Sequence, residues 1–493
     1  MLKVASCDSQ GAVYIARDAV FRLVGRSHED SVLSVLKLTN SAGIEGIVQT
    51  EVCASREVAD IIDDAIDALV LKHKKIAYIS YPHEWCAAML KDAALFHLDL
   101  SARLYGQGLF LKDAHPWNIL FEKGQPIFVD FTSIVSRDSL FAEEYLESNK
   151  LHRGEGAEAR LALILKEIFE RMYLPYFVSP LSAYAFGQRS RVRKAIENTT
   201  LNSSTSIITM KDCLPGLQPR MSALTKLFGL LKLRFGLKKV IKQLLEKKNV
   251  SGFYQGMHQC VTNLRVGVGS SGYSAYYKLK GEDHGWAYSE EWNAKQKVVY
   301  NALNTPEIST VLDVACNTGW FAVMAEKLSK RVVAFDIDEA CIESLYTQVK
   351  HDQLDILPLV MNFTELTQDR YSICDGKKVL INASQRLRSD SVIALGIIHH
   401  LTLGLGLTFE EVLDQLIPLC EKQLVIEFVD ASDAMIQNEP SFFSAYYQNK
   451  ELLAGYELGK LISLCEARGF EVRCERSHPS TRTIVVCRKL TTA

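Results

Sequence analysis

The sequence predicts an α/β protein with a doubly wound, mostly parallel sheet in its C-terminal half, and three observations carry that prediction. A buried-type strand, a tight turn, an amphipathic helix and a second strand follow one another between Thr310 and Asp336. Three more apolar runs succeed them at the spacing of strand-helix units, and two β-like runs close the chain. At 493 residues the chain also exceeds what one hydrophobic core serves, so further domains of roughly 100 to 200 residues must precede this sheet.

Composition narrows the class. Apolar residues make up 48%, charged residues 23% and the net charge is −2, which gives no global bias toward nucleic acid or membrane, and no nucleic-acid partner is expected. The 12 cysteines contain no CxxC pair, so neither a zinc ribbon nor a disulfide scaffold fits, and reduced, mostly buried thiols are expected. The first residues lack the apolar core of a signal peptide, and no later stretch approaches ~20 uninterrupted apolar residues, so a cytoplasmic protein is expected. The sequons at Asn198, Asn202, Asn249, Asn362 and Asn382 then read as chance matches.

Residues 1–150 read as an α+β module. Short β-like runs (Ala12 to Ile15, Val20 to Val24) precede a helical stretch around Glu57 to Leu71; a long helix runs from Tyr81 past Leu98 and Leu104 and stops near Gly106 and Gly108. A turn-rich segment and a strand, Pro126 to Phe131, follow.

Residues 151–265 read as a helical connecting region, broken by a polar stretch (Asn198 to Ser206) and by Pro215 and Pro219. Within it, residues 220–248 carry nine basic residues against one acid, Glu246, while leucines and valines recur at helical spacing. This is a basic amphipathic helix with candidate kinks at Gly229 or Gly236. Two readings stand: a solvated lysine face on a packed helix, or peripheral contact with anionic lipid or a polyanionic glycan.

Residues 266–493 form the third domain. Thr310 to Ala315 is its first strand, Cys316 to Gly319 the turn, Trp320 to Lys330 the helix and Arg331 to Phe335 the second strand, ending at Asp336. Ligands of such sheets sit at the carboxyl ends of the strands, where an acid ending the second strand can grip ribose hydroxyls. The turn Ala315-Cys316-Asn317-Thr318-Gly319 has one glycine, whereas pyrophosphate binding needs GxGxxG. This disfavours NAD and FAD and suits a nucleoside ligand without phosphates, S-adenosylmethionine. Further strands are expected at Ile356 to Met361, Ser391 to Ile398 and Leu424 to Val429, then a helix Tyr456 to Arg468 and a hairpin of Glu471 to Arg476 with Thr483 to Arg488.

The stretches VLDVACNTGWFAVMAEKLSKRVVAFDID, ILPLVMNF, IALGIIHHL, LVIEFVDASDAMI and STRTIVVCRK, with YISYPHEWCAAMLKDAALFHLDL upstream, resemble a bacterial family of class I S-adenosylmethionine-dependent methyltransferases that includes nodulation-type host-specificity proteins. The resemblance spans nearly the whole chain and implies a seven-stranded Rossmann-like methyltransferase domain. It places Asp313, Asn317 and Gly319 around the methionine moiety, with Ala315 where the family usually has glycine. Asp336 falls on the ribose, and Asn362 (usually aspartate) with Phe363 beside the adenine. It also implies a small-molecule or saccharide acceptor, O-methylated at a hydroxyl. Such an acceptor needs a base beyond strands four and five: His399 is the first candidate and Glu427 the second, with Asp430 and Asp433 close by. His399 could instead only orient cofactor or substrate, and Glu427 could equally be a helix-capping or strand-end acid.

In LKDAHPWNILFEKGQPIFVDF, Asp113, Asn118 and Asp130-Phe131 are spaced like a kinase's catalytic Asp, metal-binding Asn and DFG Asp, closest to aminoglycoside and choline kinase loops. Leu111 replaces the loop histidine and Thr132 the DFG glycine, and no glycine-rich loop or VAIK-type lysine is evident. The module therefore resembles a degenerate kinase-like lobe; outside this magnesium-type set no metal is expected. The alternatives are a bifunctional kinase and methyltransferase, a non-catalytic cofactor-binding regulator, or coincidence in this segment.

Overall fold

The computed structural model describes residues 2–4, 11–58, 62, 68–141, 156–186, 192, 221–273, 285–367, 373–374, 377–378, 381–438, 443 and 449–490. Asn198 to Ser206, Pro215, Pro219 and Arg220 lie outside them, as does most of the expected helix between Glu57 and Leu71. Two compact units form, one built mainly from residues up to Val268 and the other mainly from Gly269 onward.

In the first unit, strands β1 (Leu2–Val4), β2 (Gly11–Ile15), β3 (Ala19–Val24), β4 (Thr50–Cys53) and β5 (Leu69–Lys74) form an antiparallel sheet in the order β1-β2-β3-β5-β4. Helix α1 (Glu29–Ser41) is inserted between β3 and β4. The sequence reading missed α1 and carried the helix of 57–71 too far: Leu69, Val70 and Leu71 belong to β5, which pairs on both edges and is buried there. A continuous apolar run fits a buried strand as well as a helix, and pairing with β3 and β4 decides it.

Helix α2 (Ala87–Tyr105) leads to β6 (Leu109–Leu111), β7 (Ile119–Glu122), β8 (Gln125–Phe128) and β9 (Ile134–Ser136). β6 pairs with β9 and β7 with β8. Helices α3 (Ala157–Ile168), α4 (Met221–Lys247) and α5 (Val250–Thr262) belong to this same unit, and an aromatic cluster of Phe169, Tyr173, Phe177, Phe253 and Tyr254 packs around buried His97 of α2. Helix α4 buries Leu230, Leu233, Leu237, Val240 and Leu244 and exposes Lys232, Arg234, Phe235, Lys238 and Lys239. It runs unbroken through both glycines. A Cβ on Gly236 would come within 3.2 Å of the Cys260 sulfur of α5, so this glycine serves close helix packing. No helix among the described residues is long and apolar enough to cross a membrane.

The second unit holds α6 (Ala294–Leu303), β10 (Thr310–Val314), α7 (Trp320–Lys327), β11 (Arg331–Asp336), α8 (Glu339–Asp352), β12 (Ile356–Val360), β13 (Ser389–Ala394), α9 (Phe409–Leu416), β14 (Cys420–Val429), α10 (Leu458–Ala467), β15 (Phe470–Arg476) and β16 (Arg482–Lys489). Seven strands join in the order β12-β11-β10-β13-β14-β16-β15. The first five run parallel, and β16 inserts antiparallel between β14 and β15. Val311, Leu312, Val314, Val332, Val333, Val392, Ile393, Leu424 and Val425 are fully buried, as strands covered on both faces must be. Chain direction along the sheet reverses between β10 and β13. That is the switch point, and sheets of this kind bind their ligands beyond the strand ends there.

Candidate active site

Three left-handed residues shape the turn at the carboxyl end of β10: Ala315 (φ 57°), Asn317 (φ 54°) and Gly319 (φ 81°). Gly319 opens α7, and a Cβ there would meet Leu345 Cδ1 at 2.6 Å, so both backbone and space require glycine. Ala315 pays a conformational cost at the position where the family usually has glycine.

Asp336 ends β11 and fixes this turn. Its Oδ2 accepts the Asn317 backbone N–H at 2.8 Å, and its Oδ1 accepts that of Asp338 at 2.9 Å. Burial raises its pKa, opposed by these backbone donors. A carboxylate has further lone pairs for ribose hydroxyls. Asn362 follows β12, accepting the Thr364 N–H at 3.2 Å and donating to Glu365 at 3.2 Å, which stands Phe363 in a short helical turn with its ring buried.

Asp313, the fourth residue of β10, is 3% exposed and its Oδ2 has no hydrogen-bond partner. Burial, then the charge of Asp336, pushes its pKa up to about 8. A buried acid with an idle oxygen at the switch point fits an ammonium group such as the one at the methionine end of S-adenosylmethionine.

The structure separates the two candidate bases. Strand β13 stops at Ala394, four residues short of the expected end at Ile398; the chain turns at Gly396 (φ 66°), and His399 sits in a helical turn. Its ring is 1% exposed, 4.2 Å from that of His400 and 5.8 Å from Phe443, with no hydrogen bond at either nitrogen. Burial first, then His400 and Arg482, holds its pKa well below 6.5, so the imidazole is neutral and one nitrogen is available to accept a proton.

Glu427, the second candidate, is engaged at both carboxylate oxygens. It is fully buried within β14, its Oε2 lies 2.7 Å from Lys295 Nζ, and its Oε1 accepts Ser477 Oγ at 2.9 Å. Glu427 and Lys295 thus form a buried ion pair that joins β14 to α6. Lys295, on the first turn of α6, escaped the sequence reading because it lies 132 residues from its partner. Asp433 is similarly committed: Arg482 binds both its oxygens at 2.9 and 3.3 Å, and Thr481 donates at 2.6 Å. Burial would raise its pKa, but these donors bring it down to about 2.

In the first unit, Asp113 Oδ2 accepts Ser133 Oγ at 2.9 Å, and the Asn118 carbonyl accepts the Val129 N–H at 2.9 Å, so the β6–β9 and β7–β8 pairs gather Asp113, Asn118 and Asp130. Arg22 of β3 pairs with Asp130 Oδ1 at 2.9 Å and also donates to Thr132. The sequence reading, searching for a lysine, overlooked this arginine. Among the described residues no group of three or more His, Cys, Asp or Glu side chains could hold a metal ion.

No family model matches the chain. It is 25% identical over 484 residues to nodulation protein NoeA of Rhizobium meliloti (strain 1021), covering 91% of this chain and 92% of that protein. A 52-residue stretch, 10% of this chain and 20% of the relative, is 46% identical to ribosomal protein L11 methyltransferase of Thermotoga maritima. A solved structure of the bifunctional kinase-methyltransferase WbdD aligns with 43% of this chain and 42% of its own at 14% identity and a TM-score of 0.30. The chain is thus a homologue of NoeA and of S-adenosylmethionine-dependent methyltransferases.

The turn makes opposite predictions at two positions. Ala315→Gly relieves left-handed strain and raises stability by about 0.5–1 kcal/mol after the entropic cost of glycine, whereas Gly319→Ala lowers it by about 2 kcal/mol or more. Urea unfolding of both variants checks this, and equal effects would contradict it.

Asp313 sets a pH dependence. Folded, its carboxyl keeps its proton up to about pH 8; unfolded, it ionises near the ordinary aspartate value of 3.8. The folded state binds the extra proton in that window, so this group's contribution to stability falls as pH rises through it. Asp313→Asn removes the slope: its stability relative to wild type should grow between pH 5 and pH 8, at roughly 1.4 kcal/mol per pH unit. Urea midpoints at the two pH values would refute a protonated Asp313 by showing a constant difference.

Proposed function

We propose that this protein transfers a methyl group from S-adenosylmethionine to a hydroxyl of a saccharide or other small acceptor. The observation that carries the reading is the β10–β13 switch point, which holds the partnerless carboxyl oxygen of Asp313, the single-glycine turn and the carboxylate of Asp336 that fixes it. S-adenosylmethionine, when bound, supplies an electrophilic methyl on a sulfonium. Asp313 would receive the ammonium of its methionine end, Asp336 the ribose hydroxyls, and Asn362 with Phe363 the adenine.

Methyl transfer is an in-line displacement, so alignment supplies much of the rate. A hydroxyl acceptor also has a proton to lose, and the neutral ring of His399, beyond β13 and unpartnered at both nitrogens, suits that task. The buried Arg482–Asp433 pair beside it holds the entry to β16 rigid. The saccharide class rests on the resemblance to nodulation-type host-specificity proteins.

A second reading concerns the first unit: we infer that it is a degenerate kinase-like lobe that holds a ligand and does not transfer phosphate. A five-stranded sheet with a helix between its third and fourth strands, followed by α2 and the β6–β9 and β7–β8 pairs, supports the kinase-like reading. The guanidinium of Arg22 on Asp130 opposes metal-dependent catalysis, since it neutralises the acid that would grip magnesium.

Calorimetric titration with S-adenosylhomocysteine is expected to show binding that falls at least tenfold in Asp336→Ala. In the same preparation His399→Ala should lower kcat by roughly 10²–10⁴-fold with little change in cofactor affinity. Unchanged turnover would remove His399 from the chemistry. ATP should give no magnesium-dependent heat; if it does, a phosphotransferase reading replaces the degenerate one.

A further inference from the structure

We propose that helix α4 rests the protein on an anionic lipid bilayer, with Phe235 and the cations around it seated in the headgroup layer. This role is separate from the cofactor chemistry of the second unit and belongs to one exposed helix face of the first.

Helix α4 has two faces of different character. Leu230, Leu233, Leu237, Val240 and Leu244 are buried and hold it on the first unit, with Val240 packed where α5 has only Gly256 to offer. Phe235 lies two positions from both Leu233 and Leu237, which at roughly 100° per residue turns it to the opposite side. Its side chain is 68% exposed, and Leu231, one turn earlier, is 37% exposed. Lys238, Lys239 and Lys242 follow Phe235 at the third, fourth and seventh positions, so the same face carries them, and all three are exposed. A single apolar side chain in water is ordinary. Here an aromatic and a leucine stand together inside a field of cations.

The charge of this face is not balanced locally. Lys232, Arg234, Lys238, Lys239, Lys242 and Lys247 are exposed, and Glu246 is the one acid of the helix, paired with Lys242 at 3.6 Å. Arg234, Lys238 and Lys242 recur at four-residue spacing, where like charges repel and weaken a helix. Helix α5 carries no acid, and in α3, which also packs on α4, Glu158 and Glu167 are spent on Arg137 and Arg171. With a net charge of −2 the whole protein has no general pull toward anions, so the attraction of α4 for them is local.

A bilayer accepts both halves of this surface. Phe235 and Leu231 bury apolar area at the acyl boundary, while the lysine stems lie along it and their ammonium groups reach lipid phosphates. A soluble polyanion would engage the cations and leave Phe235 in water, so the aromatic is what favours lipid. No described helix is apolar enough to cross a bilayer, and α4 accordingly lies in the plane of the surface.

Vesicle flotation of the full chain tests this, with pure phosphatidylcholine vesicles and with vesicles in which roughly a third of the lipid is phosphatidylglycerol. The wild type should float only with the anionic vesicles, and its binding should weaken at least about tenfold when salt rises from about 0.1 M to about 1 M. Phe235→Ser should weaken binding roughly fivefold to tenfold through lost apolar burial, and Phe235→Leu should recover most of it. Joint replacement Lys238→Glu, Lys239→Glu and Lys242→Glu should weaken it at least about a hundredfold. All these positions are exposed, and an unchanged circular dichroism spectrum confirms that each variant keeps α4; the lipid and salt comparisons need no variant at all. No flotation with anionic vesicles, or equal flotation with both compositions, overturns the proposal. Loss in the charge variant with Phe235→Ser matching the wild type also overturns it and assigns the face to a soluble polyanion.

Discussion

The carboxylate of Asp336 holds two backbone N–H groups at once, that of Asn317 across the first turn and that of Asp338 at the start of the next helix. The rest of the second unit's chemistry depends on this clamp. A turn with three left-handed residues, one of them alanine, would relax if nothing seized its amides. Once held, it sets the start of α7 beside the end of β10, where Asp313 Oδ2 has no hydrogen-bond partner. Burial of Asp336 makes its hydrogen bonds stronger than they would be in water and makes breaking them costly.

Much of this region was legible in the sequence. Strands β10 to β12 and β14 to β16 announce themselves as apolar runs, and Asp313, Gly319 and Asp336 fall where strand-end logic puts them. What escaped depends on long-range pairing. Lys295 sits in a polar window that reads as a solvated helix start, and only β14 folding against it reveals a buried cation. Glu427 was visible as a residue but not as the partner of Lys295. The end of β13 was set too late because Leu395 to Ile398 is as apolar as the strand itself; the left-handed Gly396 is what turns the chain.

The same division runs through the first unit. The spacing of Asp113, Asn118 and Asp130 was readable, and the β6–β9 and β7–β8 pairs bring their segments together. Arg22, 110 residues from Thr132 in the chain, was not readable as their neighbour. It changes the meaning of the set: an acid already paired with a guanidinium is a recognition or structural group before it is a metal ligand.

The central claim is that S-adenosylmethionine binds beyond the ends of β10 and β13. Amide hydrogen exchange with and without S-adenosylhomocysteine tests it most directly, because it reads the backbone at every strand end in one experiment. The account predicts new protection concentrated at 315–319, 336–338 and 362–364, with the first unit unchanged. Protection confined to the first unit, or none anywhere at saturating ligand, would contradict it.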